Sequence, residues 1–153
     1  MANVTIDQVA DYFLWSACQN GDLITNLKLQ KLVYYAQAWF LALYEEPLFN
    51  DEFQAWVHGP VNTNLYHRFK DARWQPINCD PFYSPDSEPN LPQKVKAHLD
   101  EIIDVFFDYS AHTLERMTHN EDPWINARQG LPQSVASNNI ISKSDMMNYY
   151  KSL

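Results

Sequence analysis

The sequence predicts a mainly α-helical (α+β) fold: a compact single-domain helical bundle around a central helix, with a small two- or three-stranded β element. Apolar residues recur at helical spacing in three long segments, which indicates amphipathic helices. Only three glycines occur among 153 residues, too few for an all-β fold with many tight turns. The length fits one domain over residues 1–153, because a single core serves about 100–200 residues.

The first helix is predicted to begin after Thr5. The Thr5 hydroxyl can cap the first turn while Gln8 reaches back, which is the capping-box arrangement. Apolar residues from Ile6 to Ala17 then form one stripe at helical spacing. Gly21 is placed to end this helix in a left-handed conformation.

The second helix begins near Thr25 and is predicted to be the central one. It carries two apolar stripes on roughly opposite faces, Leu29, Leu32, Val33, Ala36, Phe40 and Leu43 on one and Leu27, Tyr34, Ala38 and Leu41 on the other. A helix that is apolar on two sides is packed on two sides. Lys28, Lys31 and Tyr35 share a narrow polar strip between the stripes.

The middle of the chain predicts a short strand, a turn and a long connection. Apolar and polar residues alternate over 53–57, which favours a strand. Gly59 and Pro60 are predicted to shape the following turn, and a short helix is expected over 61–70. Residues 71–90 contain four prolines and are predicted to be irregular, with short strands possible near 75–78. Such long connections often bind partners.

The C-terminal half predicts four more helices. The first spans about 92–108, and Ser110 caps a second that runs to about 117. Asp122 and Pro123 are structural residues at the start of a third helix over 124–128. Ser142 and Asp145 form a capping box for the last helix, which contains Tyr149 and Tyr150.

The charge and composition exclude several classes of protein. The net charge of -8, with few and scattered basic residues, argues against binding duplex nucleic acid. No apolar run is long enough to cross a membrane, and residues 1–8 do not resemble a signal peptide. Cys18 and Cys79 lack CxxC spacing, so two reduced thiols in a reducing cytosol are expected. We therefore expect a cytoplasmic protein without membrane contact.

The sequence lacks the usual motifs of catalysis, so no catalytic residue, metal or cofactor is expected. None of the five histidines lies in a zinc pattern, and there is no GxSxG elbow or glycine-rich phosphate loop. His119, Glu121 and Asp122 could form a hydrolytic or metal site in a loop. The alternative is that Asp122 caps the next helix and His119 hydrogen-bonds within the turn. Asp100, Asp104 and Asp108 are interpreted as a solvated acidic face rather than metal ligands.

Three segments, in the same order and spacing, resemble the Panacea domain of SocA-like antitoxins, a family also met as phage-associated GepA-like proteins. Residues 26–37 resemble its signature NLKLQKLLYYAQ, and residues 53–61 resemble its FEAWxxGPV segment. Residues 114–128 resemble its LSxLTHxExPWxxAR segment. The likeness covers nearly the whole chain.

The resemblance implies an antitoxin that neutralises a cognate toxin, encoded by an adjacent gene, through direct binding in a bacterial or phage-infected cell. A first alternative is a proteolytic adaptor that delivers its partner to an AAA+ protease, as one branch of the family does. A second is a metal- or His-dependent hydrolase that uses His58, His119 and Glu121. The predicted partner-binding residues are Lys28, Lys31, Tyr35, His58, His119, Glu121, Trp124 and Arg128. Trp124 could equally lie in the core, and Arg128 could pair with a carboxylate such as that of Glu121.

Overall fold

The computed structural model describes residues 4–153, and its elements follow the predicted order. Residues 1–3, part of the stretch where no signal peptide is expected, lie outside the described residues. The described part contains seven α-helices and a two-stranded sheet: α1 (Ile6–Gln19), α2 (Asn26–Tyr44), β1 (Gln54–Trp56), β2 (Gly59–Val61), α3 (Thr63–Arg68), α4 (Gln93–Phe106), α5 (Ala111–His119), α6 (Asp122–Ala127) and α7 (Lys143–Lys151). The mainly helical fold class with a small β element is confirmed.

Both predicted signals at the ends of α1 are confirmed. The Thr5 hydroxyl accepts a hydrogen bond from the Gln8 backbone N–H at 3.2 Å, and the Gln8 side chain accepts one from Thr5 N–H at 2.9 Å. Gly21 adopts a φ of +75° just after the helix ends. That conformation disfavours residues with a β-carbon, which explains why a glycine stops the helix here.

Helix α2 lies at the centre of the fold, as predicted. It packs against α1, α4, α5, α7 and β2, and both of its apolar stripes are buried along most of their length. The exceptions are Leu43, with 57% of its surface exposed, and Leu27, which is half-buried. Buried glutamines on α2 hold the chain that follows it: Gln37 bonds the backbone at Leu48 and Phe49, and Gln30 accepts from the Asn62 backbone N–H.

The predicted strand forms one arm of a hairpin that lies on α2. Strands β1 and β2 are antiparallel, with Ala55 opposite Pro60. Chain segment 139–141 extends along the other edge of β1, where Ala55 N–H donates to the Asn139 carbonyl at 2.8 Å. Gly59, the first residue of β2 directly after the turn, adopts a φ of +102°, which explains why glycine occupies this position.

The expectation of two reduced thiols is wrong for this structure, because Cys18 and Cys79 form a disulfide with a Cα–Cα distance of 5.8 Å. The end of α1 packs against a 3₁₀ turn at Asp80–Phe82, and the Gln19 amide donates to the Phe82 carbonyl at 2.9 Å. This packing brings the two cysteines together across 61 residues of sequence, a separation that local spacing rules do not address.

The long connection from 71 to 90 is mostly irregular, as predicted. It contains short 3₁₀ turns, and Pro76 forms an isolated bridge with Thr25 near the predicted extended stretch at 75–78. Trp74 is 77% exposed in this segment. Within residues 4–153, every helix is too short or too polar to cross a membrane.

Candidate functional site

Residues from the three family-like segments meet where α2, the hairpin, α5 and α6 come together. We call this group the motif cluster and define it by Lys31, Tyr35, Gly59, Thr118, His119, Glu121, Trp124 and Arg128. Most of its side chains are buried, including those of Lys31 and Arg128. The cluster therefore joins elements that are far apart in sequence.

Glu121 ties α2 and α7 to the start of α6. Its carboxylate accepts a hydrogen bond from the Tyr35 hydroxyl at 2.8 Å and another from the Tyr150 hydroxyl at 2.7 Å. Burial raises the pKa of Glu121 above its ordinary value, and the two hydrogen bonds oppose this shift. Burial also raises the pKa of both tyrosines, so their hydroxyls keep their protons and act as donors.

His119 fastens α5 to the hairpin. Its Nε2 lies 2.8 Å from the Val57 carbonyl, and its Nδ1 lies 3.1 Å from the Gln133 amide nitrogen. A ring that donates from Nε2 and accepts at Nδ1 is neutral. Burial, which lowers the pKa of His119, favours the same form. The imidazole is therefore occupied at both nitrogens.

The alternative prediction for this segment, in which Asp122 caps the next helix and His119 bonds within its turn, was wrong in its details. His119 bonds the distant hairpin and Gln133 rather than its own turn. Glu121, not Asp122, occupies the N-cap position of α6, and no side-chain hydrogen bond caps that helix. Asp122 and Pro123 instead form the first turn, where proline is tolerated because its missing N–H needs no helical partner.

Trp124 and Arg128 extend the same connection on α6. The indole N–H of Trp124 donates to the Trp56 carbonyl at 2.9 Å, and its ring stacks on His119 with centroids 4.1 Å apart. Arg128 donates to the Ala55 and Pro132 carbonyls, each at 2.9 Å, and also to the Val135 carbonyl. The alternative prediction that Trp124 lies in the core is confirmed. The suggested pairing of Arg128 with a carboxylate is replaced by bonds to backbone carbonyls.

Lys31 is the most unusual member of the motif cluster. Its Nζ atom is buried and has no hydrogen-bond partner among the described residues. Burial lowers the pKa of Lys31 to about 7, although the carboxylate of Glu115 opposes this shift. The hairpin turn covers the amine, because the Lys31 side chain packs directly against Gly59. This lysine therefore titrates close to neutral pH and is largely uncharged only above it.

The predicted partner-binding residues differ widely in exposure. The His58 side chain is 63% exposed and pairs with Glu115 at 3.0 Å. Lys28, His119 and Glu121 are partly buried, and the Lys28 ammonium donates to the Phe107 carbonyl. The remaining four are 4% exposed or less, namely Lys31, Tyr35, Trp124 and Arg128. In this conformation a partner cannot reach those four directly, although contact by the other residues stays a prediction.

An open apolar groove, which the sequence reasoning missed, runs between α2 and α4 beside the motif cluster. Its volume is about 300 Å³, and its lining is Trp39, Leu43, His98, Glu101, Ile102, Val105 and Phe106. We call it the α2–α4 groove. Phe106 stacks on Tyr35 with centroids 4.5 Å apart, so the cluster supports the groove floor. The sequence signal was Val105, an apolar residue outside the apolar face that Val95, Leu99, Ile102, Ile103 and Phe106 form on α4.

The predicted acidic face over residues 100–108 lies on α4 and just beyond its end, because the helix stops at Phe106 rather than near Asp108. Among residues 4–153, no three His, Cys, Asp or Glu side chains are grouped so that they could hold a metal ion. Asp100 instead accepts a hydrogen bond from the Tyr12 hydroxyl at 2.6 Å. Asp104 and Asp108 are exposed, in agreement with the predicted solvated face.

Comparisons with known proteins identify the family. The family model described as antitoxin SocA-like, Panacea domain, matches residues 29–125. The chain is also 43% identical over 61 residues to the protein named Antitoxin SocA from Caulobacter vibrioides (strain NA1000 / CB15N), and this match covers 40% of the chain and 32% of that relative. The similarity thus spans about a third of the relative's length, and no solved structure matches the chain. Because the family model covers more than half of the sequence, the chain belongs to the SocA-like, Panacea-domain antitoxin family.

Proposed function

We propose that this chain is an antitoxin that neutralises a cognate toxin protein by binding it directly. Membership of an antitoxin family supports a toxin partner in general. Direct binding is supported by one structural contrast. The motif cluster is buried and internally bonded, whereas the groove next to it is open and apolar. Exposed apolar grooves are typical of protein interaction sites.

The bonding of the candidate catalytic residues favours binding over hydrolysis. A general acid or base must reach the proton that it transfers. Both nitrogens of His119 are bonded within the protein, and the Glu121 carboxylate accepts from two buried tyrosines. His58 is exposed but pairs with Glu115. This bonding supports a structural role for His119 and Glu121 rather than a role in an open reaction centre.

Co-expression tests the proposal. The product of the neighbouring gene would be induced as the toxin, with and without this chain, while growth and toxin abundance are followed together. Direct neutralisation predicts restored growth, unchanged toxin abundance and recovery of a complex by affinity purification. Continued toxicity in the presence of folded chain would reject the proposal.

The same experiment separates the adaptor alternative. An adaptor predicts that toxin abundance falls when this chain is present, and that the fall disappears in cells that lack the AAA+ protease. The matched control is the toxin expressed alone in the same two strains. We also propose a cytoplasmic site of action, in a bacterial or phage-infected cell, which fractionation of the tagged chain would check.

A further inference from the structure

We propose that the α2–α4 groove receives one amphipathic helix of the toxin, with an apolar face bordered by lysine or arginine residues. This inference rests on the proposed function and names the surface and the chemistry of the partner. The groove has the form of a helix-binding site, since it lies between two neighbouring antiparallel helices. Lys94 on α4 contacts Tyr44 at one end of α2, and Lys28 near the other end contacts Phe107.

The groove offers apolar surface without buried charge. Leu43 and Val105 are each 57% exposed and form opposite rims, while Ile102 and Phe106 are buried in the floor. His98 also lies in the floor, where its Nε2 bonds the Ala36 carbonyl at 2.9 Å. Burial lowers the pKa of His98, which keeps the ring neutral at physiological pH. An apolar side chain can therefore enter without desolvating an ion.

The α4 rim of the groove is acidic. Glu101 and Asp104 lie at i and i+3 on α4, so they face the same side of the helix, and Asp108 follows just beyond the helix end. Glu101 lines the groove, and no Lys or Arg of the described chain forms an ion pair with it or with Asp104. This rim attracts a partner with basic residues beside its apolar face.

At the end of the groove near the N-terminus of α4, each basic side chain is paired with an acidic one. Lys94 lies 3.8 Å from a Glu46 carboxylate oxygen, and Lys151 lies 2.9 Å from one of Glu45. At the other end, Asp108 is close enough to the Lys28 ammonium to stabilise its charge. The excess negative charge along the groove is therefore that of Glu101 and Asp104. The groove residues on α4 run from His98 to Phe106, which is about 12 Å along a helix axis. A bound helix of two to three turns would present apolar residues at i, i+3 or i+4, and i+7.

The test measures the affinity of the purified toxin for three groove variants and a matched control. Leu43→Lys and Val105→Lys each place a charge in the exposed apolar rim, and each should weaken binding about tenfold or more. Leu23→Lys is the control, because Leu23 is 65% exposed and precedes α2, outside the groove, whose α2 residues are Trp39 and Leu43. It should change the affinity by less than about twofold. All replaced residues are exposed, so circular dichroism should show unchanged folding.

The acidic rim is tested by the third variant, Glu101→Lys combined with Asp104→Lys. The association rate should fall about three- to tenfold at low salt, and the difference should shrink as salt is added. Overlapping peptides that cover the toxin sequence identify the occupant. The tightest-binding peptide should have the apolar spacing given above and flanking basic residues.

The outcomes separate this inference from the proposed function. If the wild-type chain binds the toxin and both rim variants bind equally well, the groove inference is overturned while antitoxin action stands. A tightest peptide that is acidic or lacks a helical apolar face would overturn the stated chemistry. If the wild-type chain does not bind the toxin at all, the proposed function fails and this inference fails with it.

Discussion

The side chain of Lys31 packs directly against the backbone of Gly59. A β-carbon at position 59 would lie 2.6 Å from Cε of Lys31 and 2.9 Å from the hydroxyl oxygen of Thr118. Real β-carbons do not approach other atoms this closely. The glycine therefore allows the hairpin turn to cover a buried amine, and the two residues connect the first and second family-like segments.

Gly59→Ala should lower the free energy of unfolding by about 1–3 kcal/mol through backbone strain, with a further loss from the steric overlap. Gly130→Ala is the matched control, because Gly130 has a φ of +79° but a β-carbon added there would meet no heavy atom within 4 Å. It should cost only about 1–2 kcal/mol. Urea unfolding measures the stability of both variants. If both lose the same free energy of unfolding, the close contact between position 59 and Lys31 does not affect stability.

Lys31→Met should remove a pH dependence of stability. The pKa of Lys31 is about 7 when folded and ordinarily 10.5, so between these values the unfolded chain binds a proton that the folded chain lacks. The wild type should therefore lose about 1.4 kcal/mol of stability for each pH unit that the pH falls across this window. Denaturant unfolding of both proteins over this pH range measures the effect. The difference between the two stability profiles removes the contribution of the tyrosines, which titrate in both proteins. If the stability of the wild type and of Lys31→Met changed with pH in parallel, the result would contradict the burial of Lys31 as an uncharged amine.

The helices could be predicted from the sequence because their signals are local. The Thr5 capping box, Gly21 and the two stripes of α2 each act within a few residues. The contacts of the candidate site are not local. Helical periodicity groups Lys31 and Tyr35 on a polar strip but does not determine whether the strip is exposed, and in the fold both residues are buried. Only tertiary packing decides such exposure.

Glu121→Ala should destabilise the fold, because the buried hydroxyls of Tyr35 and Tyr150 lose their common acceptor. The expected cost is about 1–3 kcal/mol in thermal or denaturant unfolding. Glu121→Gln is the matched control, since its amide oxygen can accept the same two bonds. At neutral pH we expect it to stay within about 1 kcal/mol of the wild type.

Glu121 also gives a pH test with a defined sign. Burial raises its folded pKa, so the unfolded carboxyl ionises first as the pH rises past 4.5. The wild type should therefore lose stability relative to Glu121→Gln as the pH increases through this range. A gain in relative stability would show that the hydrogen bonds from the tyrosines outweigh burial.

The Cys18–Cys79 disulfide should stabilise the folded chain, mainly by restricting its unfolded state. For a separation of 61 residues, loop-closure entropy corresponds to about 4 kcal/mol. Cys18→Ser with Cys79→Ser should lower the melting temperature, and a reductant should then have no further effect. The wild type in the same reductant is the control. If it melts at an unchanged temperature while its thiols become accessible to alkylation, the disulfide does not stabilise this fold.

Titration calorimetry of the purified chain with the purified toxin tests the central claim most directly, because no protease or other cellular component is present. Direct neutralisation predicts a saturable complex of defined stoichiometry and loss of toxin activity at the same molar ratio. Absence of binding, with a folded chain and a fully active toxin, would contradict direct neutralisation.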